Sequence, residues 1–278
     1  MRIIPAHEIT KTVAQLCIDA NISADPDIQR CLLAARKSDD LPLAQNSLDM
    51  IIKNMEIAKT EKMPMCQDTG LVVVFIQIGQ DVHVQGNISD AINEGVRQGY
   101  KDGYFRASVV ADPIHRINTG DNTPAVIHYE LVNGDKLKIV VMPKGFGSEN
   151  KGAIKMLTPS AGLSGVEAFI LEVVKKAGAD PCPPIVVGVG VGGTMEKAAL
   201  LSKEALVQMY DKKNDPFWTD VEERLLDNIN ALGIGVAGLG GKTTALGVRI
   251  LSYPTHIAGL PVAVSIGCHV SRHKSEIL

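Results

Sequence analysis

Three cysteines stand where chemistry is most easily built. Cys66 lies in Pro64-Met65-Cys66-Gln67-Asp68-Thr69-Gly70, Cys182 in Asp180-Pro181-Cys182-Pro183-Pro184, and Cys268 in Ile266-Gly267-Cys268-His269. Each context forms loops at the end of an element, and loops on a rigid scaffold are where binding and catalytic residues concentrate. Three thiolates converging from such loops would suit an iron-sulfur cluster or a soft metal. Three donors rather than four would leave one coordination position open, which suits Lewis-acid chemistry rather than a purely structural or electron-transfer role. The cysteines are far apart in the chain and include no C-x-x-C, so on spacing alone ordinary loop cysteines are the simpler reading. Cys17 and Cys31 differ from these three, because both sit on apolar helical faces, where a cysteine is usually a small buried hydrophobe.

Two glycine-rich strings imitate nucleotide sites. Gly188-Val189-Gly190-Val191-Gly192-Gly193 fits G-x-G-x-x-G after an apolar run and before a helical pattern, the context a dinucleotide fingerprint requires. The acidic residue wanted about 20 positions later should end a second strand, yet Asp211 and Asp215 follow a helical pattern. A closely packed strand-to-helix turn is the plainer expectation. Gly240-Gly241-Lys242-Thr243 resembles the end of a phosphate loop, but that motif needs glycine at position 236, which is Val236.

The elements that must position these residues change character along the chain. Apolar residues recur at helical spacing from Ala6 to Lys62, with breaks at Asn21, Asp25-Pro26 and Pro42, which predicts three helices. Leu71–Ile76 reads as a buried strand and Asp90–Lys101 as a helix. Ala125–Leu131 and Lys136–Met142 flank Asn133-Gly134, which predicts an antiparallel hairpin. Helices follow at Pro159–Gly178, Met195–Tyr210 and Val221–Leu232, with strands at Ile185–Val189, Ala245–Ser252 and Val262–Ile266. The fold class expected is α+β (mixed α/β): mixed sheets with an antiparallel hairpin, surrounded by helices. We read residues 1–278 as a single domain with a helical part over about 1–62 and a mixed part over about 63–278.

Composition narrows the partners. With 278 residues, 45% of them hydrophobic and 21% charged, the chain can bury a sizeable core, and its net charge of −3 argues against a broadly basic nucleic-acid or membrane surface. No apolar stretch reaches the roughly 18 to 20 residues of a membrane span, and the N-terminus lacks a secretory pattern. A cytoplasmic protein with reduced thiols is expected.

Four strings carry a resemblance: Met65–Gly70, Arg116–Pro124, Lys144–Asn150 and Gly238–Ala245. Together, and in this order, they resemble the class I iron-sulfur fumarate hydratases and L-tartrate dehydratases. The resemblance implies a [4Fe-4S] cluster held by Cys66, Cys182 and Cys268, with substrate at the fourth iron. It implies that Gln67, Arg106, Gly147 and His256 bind the dicarboxylate, Arg106 being suited to bidentate pairing. Asp68, two residues after a cysteine, is the acid/base candidate. From the residues alone, Arg106 reads as a solvated charge, Asp68 as an Asx-type turn residue and His256 as a satisfied loop histidine.

Fusion members of that family continue into a second domain that adds substrate-binding basic residues. The chain therefore resembles the alpha subunit of the two-subunit form, a hetero-oligomer completed by a beta subunit. The function implied is reversible hydration of fumarate to L-malate. The alternative is L-tartrate dehydratase, which differs by one hydroxyl on the substrate, and a more distant alternative is a nicotinamide-dependent oxidoreductase built on Gly188–Gly193.

Overall fold

Helical spacing over the first sixty residues is realised almost as read. A computed structural model describes residues 1–209 and 214–278. Tyr210, the end of one predicted helix, and Asp211 fall outside the described residues. The chain runs β1 (Arg2–Pro5), α1 (Ala6–Ile22), α2 (Pro26–Ser38), α3 (Pro42–Glu61), β2 (Leu71–Gly79) and β3 (Val82–Gln85). Next come α4 (Ile88–Asp102), β4 (Val126–Val132), β5 (Leu137–Lys144), α5 (Phe146–Glu149) and β6 (Ala153–Leu157). Then follow α6 (Gly162–Ala177), β7 (Ile185–Gly192), α7 (Met195–Val207), α8 (Pro216–Asn230), β8 (Ala245–Tyr253), β9 (Leu260–Gly267) and β10 (Lys274–Ile277). Sheets with both parallel and antiparallel neighbours make this an α+β fold. Among the described residues, no helix is long and apolar enough to cross a membrane.

Contacts group the chain into two units. The first comprises Met1–Ala24, Asn54–Phe146 and Arg272–Leu278, and the second Asp25–Lys53 and Gly147–Ser271.

In the first unit the sheet order is β10-β5-β2-β4, with a small parallel pair β1-β3. The hairpin predicted across Asn133-Gly134 does not form. Both strands exist, but β2 lies between them, parallel to β4 and antiparallel to β5. The reason is burial: β2 is apolar on both faces, with Val72, Val73, Val74, Phe75 and Ile76 all buried, so it takes the centre. The Asn-Gly turn survives with Gly134 at φ 101°, and it wraps the end of β2 instead. Gly79 N–H donates to Lys136 O at 2.9 Å, Gln80 N–H to Val132 O at 2.8 Å and Asp81 N–H to Gly134 O at 2.9 Å. Helix α1 packs with α4 over this sheet, burying Val13, Leu16 and Cys17 with Val72, Val74, Ile92 and Val96. Asn87 starts α4 by accepting from the Ser89 and Asp90 amides at 2.9 and 3.2 Å.

In the second unit the sheet order is β6-β9-β7-β8, with β7 parallel to β8 and antiparallel to β9. Strand β7 alternates with the period of two. Ile185, Val187, Val189 and Val191 join the core formed with α6 and α8. Gly188 and Gly190 lie on the other face under α7, where a Cβ on Gly188 would stand 2.3 Å from Ser202 O and one on Gly190 2.0 Å from Ala198 O. The G-x-G-x-x-G string therefore seats a helix on a strand, as its plainer reading expects, and the space that a pyrophosphate would need at these two glycines is filled by α7. Gly190→Ala is expected to destabilise the chain by about 3 kcal/mol or more through this overpacking. Urea denaturation measures that loss, and a change under about 1 kcal/mol would show that α7 can move aside.

Candidate active site

The first unit builds a platform under Cys66. Asn54 Nδ2 donates to Met65 O at 2.9 Å, and Met65 N–H donates to Asn21 O at 2.9 Å, which fixes the entry to the loop. The carbonyls of Asp68, Thr69 and Gly70 each meet a buried side chain. Arg272 Nη2 donates to Asp68 O at 2.5 Å, Tyr100 hydroxyl to Thr69 O at 2.5 Å, and Asn122 Nδ2 to Gly70 O at 3.1 Å. Arg272, Tyr100 and Asn122 are 4%, 3% and 0% exposed, so these bonds form away from water, where an unmade one is costly. With the carbonyls turned inward, half-buried Cys66 and exposed Gln67 are left at the surface, the Cys66 thiol 3.5 Å from Gln67 Oε1.

Asp68 is held at its side chain too. Oδ1 accepts from Gly70 N–H at 3.0 Å and Oδ2 from Phe146 N–H at 2.8 Å. The first of these is the Asx turn read from sequence; the second ties the loop to the start of α5. Burial pushes the Tyr100 phenol and the Cys17 thiol far above their ordinary values, so both are neutral.

Arg106 joins this platform through its backbone, because Thr69 Oγ1 donates to Arg106 O at 3.0 Å. Its side chain is exposed and in no ion pair among the described residues. The string Arg116–Pro124 explains itself as the brace for this segment. Asn118 Nδ2 donates to Ala107 O at 3.0 Å, and Asn122, at φ 60°, takes Ser108 N–H on Oδ1 at 2.8 Å while it holds Gly70.

The second unit brings two cysteine segments together. His269, which follows Cys268, meets the Cys182 carbonyl twice, with N–H at 3.3 Å and Nδ1 at 2.8 Å. A carbonyl only accepts, so the neutral ring carries its proton on Nδ1 and presents a lone pair at Nε2. Burial lowers the His269 pKa, and the Cys182 carbonyl acts weakly the other way. Cys182 is exposed at φ 55°, the left-handed region that costs a side-chain-bearing residue about 1–2 kcal/mol. Gly147 belongs to the same neighbourhood: a Cβ there would lie 3.9 Å from Asp180 O. Lys151 Nζ pairs with Asp180 Oδ2 at 2.5 Å.

His256 sits on an exposed turn whose Nδ1 accepts from Ala258 N–H at 3.2 Å, the satisfied loop histidine of the sequence reading. It borders a cavity of about 440 Å³ with Leu163, Val166, Trp218 and Leu260, a lining that includes none of Cys182, Cys268 and Gly147.

The Gly240–Thr243 string also has a structural use. Gly241, at φ 103°, would press a Cβ to 2.6 Å from Asp39 Oδ2. That carboxylate, 1% exposed, accepts Lys242 N–H at 2.7 Å on Oδ2 and Leu41 N–H at 3.0 Å on Oδ1. The protein's own carboxylate thus occupies the glycine-rich turn.

The structure therefore unites Cys66, Gln67, Asp68 and Arg106 in one unit, and Cys182, Cys268 and Gly147 in the other, with His256 at a different feature of the second. None of the five cysteines is in a disulfide, and among the described residues neither unit gathers three His, Cys, Asp or Glu side chains in an arrangement to hold a metal. Sequence reasoning missed Tyr100, Asn122, Arg272 and His269. Asn122 lies in the string Arg116–Pro124 and His269 in the Cys268 string, but the sequence reading gives neither a role.

The sequence model described as fumarate hydratase (Fumerase) matches residues 10–276, which span every candidate site residue named above. The chain belongs to that family. A Methanocaldococcus jannaschii protein named for the alpha subunit of L(+)-tartrate dehydratase is 39% identical over 273 residues, 95% of this chain and 95% of its own length. The L(+)-tartrate dehydratase subunit alpha of Escherichia coli (strain UTI89 / UPEC) is 30% identical over 271 residues, 96% of this chain and 89% of its own. Fumarate hydratases and tartrate dehydratases are hydro-lyases, so the reaction class is removal or addition of water.

Proposed function

We propose that this chain is the alpha subunit of a [4Fe-4S] fumarate hydratase, converting fumarate and L-malate reversibly, with Cys66, Cys182 and Cys268 as cluster ligands. The observation that carries the reading is the joining of the Cys182 and Cys268 segments through His269, in a chain of a hydro-lyase family. The donor set suits such a group: all three thiols stand in loops, whereas Cys17 is fully buried with its thiol pushed up and Cys31 lies on α2. The backbone cost at Cys182 would be smaller for glycine, which argues that its thiol is what the position uses. A cytoplasmic location, where thiols stay reduced, is part of the proposal.

Bound by three thiolates, the cluster supplies an iron with an open position, a Lewis acid for the substrate's hydroxyl and carboxylate oxygens. In this reading the Arg106 guanidinium pairs with a substrate carboxylate, in the fork geometry that favours two parallel hydrogen bonds. Gln67 donates its amide to the diacid, the backbone at Gly147 lies against it, and His256 hydrogen-bonds near it. Asp68 moves the proton at the hydroxyl or at the neighbouring carbon, its carboxylate aimed by the Gly70 and Phe146 amides.

The second reading is L-tartrate dehydratase, favoured by the names of the relatives. Those names, each a subunit alpha, also support a beta subunit that completes the site here. The test is to reconstitute the chain anaerobically with its second subunit and to assay fumarate, L-malate and L(+)-tartrate. Turnover of fumarate and L-malate at least tenfold above tartrate supports the first reading, and the reverse order the second. No water addition or loss with any of the three overturns both. The chain alone is expected to hold iron and turn over little; full activity without a partner would remove the beta subunit from the proposal.

A further inference from the structure

Of the three buried donors beneath the Cys66 loop, one is a cation in no ion pair among the described residues. Arg272 is 4% exposed, and its recorded bond runs from Nη2 to a main-chain carbonyl, Asp68 O, at 2.5 Å. No carboxylate pairs with it among the described residues, and its Nε is buried with no acceptor. Taking a charge out of water is costly unless negative charge or a full set of hydrogen bonds replaces the solvent. One carbonyl oxygen does neither.

None of the other groups around it forms an ion pair with it. Tyr100 and Cys17 are the buried acids of this region, and burial keeps both protonated. The Asp68 carboxylate belongs to the same loop, but it is held by the Gly70 and Phe146 amides and makes no ion pair with Arg272. The inward carbonyls leave the surface of the loop to Cys66 and Gln67. A buried positive charge in no ion pair among the described residues thus lies under the segment that presents a thiol and a carboxamide to solvent.

We infer that Arg272 is the fixed counter-charge of the Cys66–Gly70 loop: it holds the Asp68 main chain and suits the loop surface to an anionic occupant. That this occupant is a four-carbon dicarboxylate rests on the function proposed above, but the positive field does not. Arg272 is a positioning residue, buried behind the loop and acting through Asp68 and through its charge.

The test reads the field at Cys66 in the full chain without cofactor. Cys66 is alkylated with iodoacetate, an anion, and with iodoacetamide, its neutral analogue, and each rate is followed by mass spectrometry of the Cys66 peptide. The ratio of the two rates cancels thiolate fraction and accessibility and leaves the electrostatic preference. Arg272→Gln keeps a donor for Asp68 O without the charge and is expected to lower the ratio about threefold or more, while Arg272→Lys stays within about twofold of wild type. A purely structural role would move both rates together and leave the ratio flat. An unchanged ratio in Arg272→Gln, or an equal fall in Arg272→Lys, overturns the inference. A measurement without variants stands beside it: the wild-type ratio is higher in the folded chain than in urea, and an equal or lower one also overturns the inference. Failure of the dehydratase reading appears separately, as absence of turnover with the second subunit present, and leaves the alkylation result intact.

Discussion

A Cys182→Ala chain is expected to keep its fold and lose its iron. The side chain is exposed, and the bonds that organise the segment come from its carbonyl, which accepts His269 N–H and Nδ1. Alanine accepts from His269 equally well and meets the same cost at φ 55°, so the stability change should stay within about 1 kcal/mol. What disappears is one thiolate donor of three. Iron and sulfide bound after anaerobic reconstitution should fall about tenfold or more, with the visible absorption of the cluster, and turnover by about 1000-fold. Cys17→Ala is the informative contrast. Its thiol is fully buried on α1, where the side chain lies beside Gly99 of α4, so truncation should cost about 1–2 kcal/mol and leave iron content unchanged. Full iron in Cys182→Ala would remove Cys182 from the ligand set.

The elements that sequence made legible are those whose signal is local. The helices α1, α2 and α3 follow from apolar spacing interrupted at Asp25-Pro26 and Pro42, because a proline at the first turn both ends one segment and starts the next. Strand pairing is different. Asn133-Gly134 specifies a turn, but whether the flanking strands touch depends on whether something more apolar takes the place between them, and β2 does. The short strands β1, β3, β6 and β10 escaped the reading because partly exposed runs such as Ala153–Leu157 and Lys274–Ile277 carry little apolar alternation. Likewise the glycines of β7 announce a close approach without saying to what, and only the packed α7 distinguishes a helix from a phosphate.

The candidate site divides in the same way. The loop cysteines are visible because glycine and proline mark loops in any sequence. The side chains that hold the Cys66 loop are not. Tyr100 is part of a helical pattern whose interior face is unremarkable, and Arg272 reaches Asp68 across 204 residues of chain. No local spacing reports that a cation will be buried under a backbone carbonyl. The sequence reading of Asp68 as a turn residue and its reading as an acid/base group describe different atoms of one side chain, since the bonds that make the turn also aim the carboxylate.

That double use makes Asp68→Asn the more severe of the two changes in mechanism. A carboxylate accepts on both oxygens, and here Oδ1 takes Gly70 N–H while Oδ2 takes Phe146 N–H. Asparagine has one acceptor and one donor, so whichever way the amide turns, an NH₂ faces an N–H. One bond is lost and two donors are opposed, with an expected cost of about 1–3 kcal/mol. Removing the proton carrier should lower kcat by about 10²–10⁴ in the assembled enzyme. The two effects separate by temperature: well below the unfolding midpoint a loss of this size leaves nearly all molecules folded, so the fall in kcat there belongs to the proton step and to the aim of the loop. Urea denaturation measures the first quantity and steady-state turnover with the beta subunit the second. A kcat within tenfold of wild type would show that Asp68 serves the turn alone, and the acid/base role would have to pass to another group. An unchanged stability with a lost rate would instead show that the bond to Phe146 contributes little, leaving the chemistry as the reason for a carboxylate at this position.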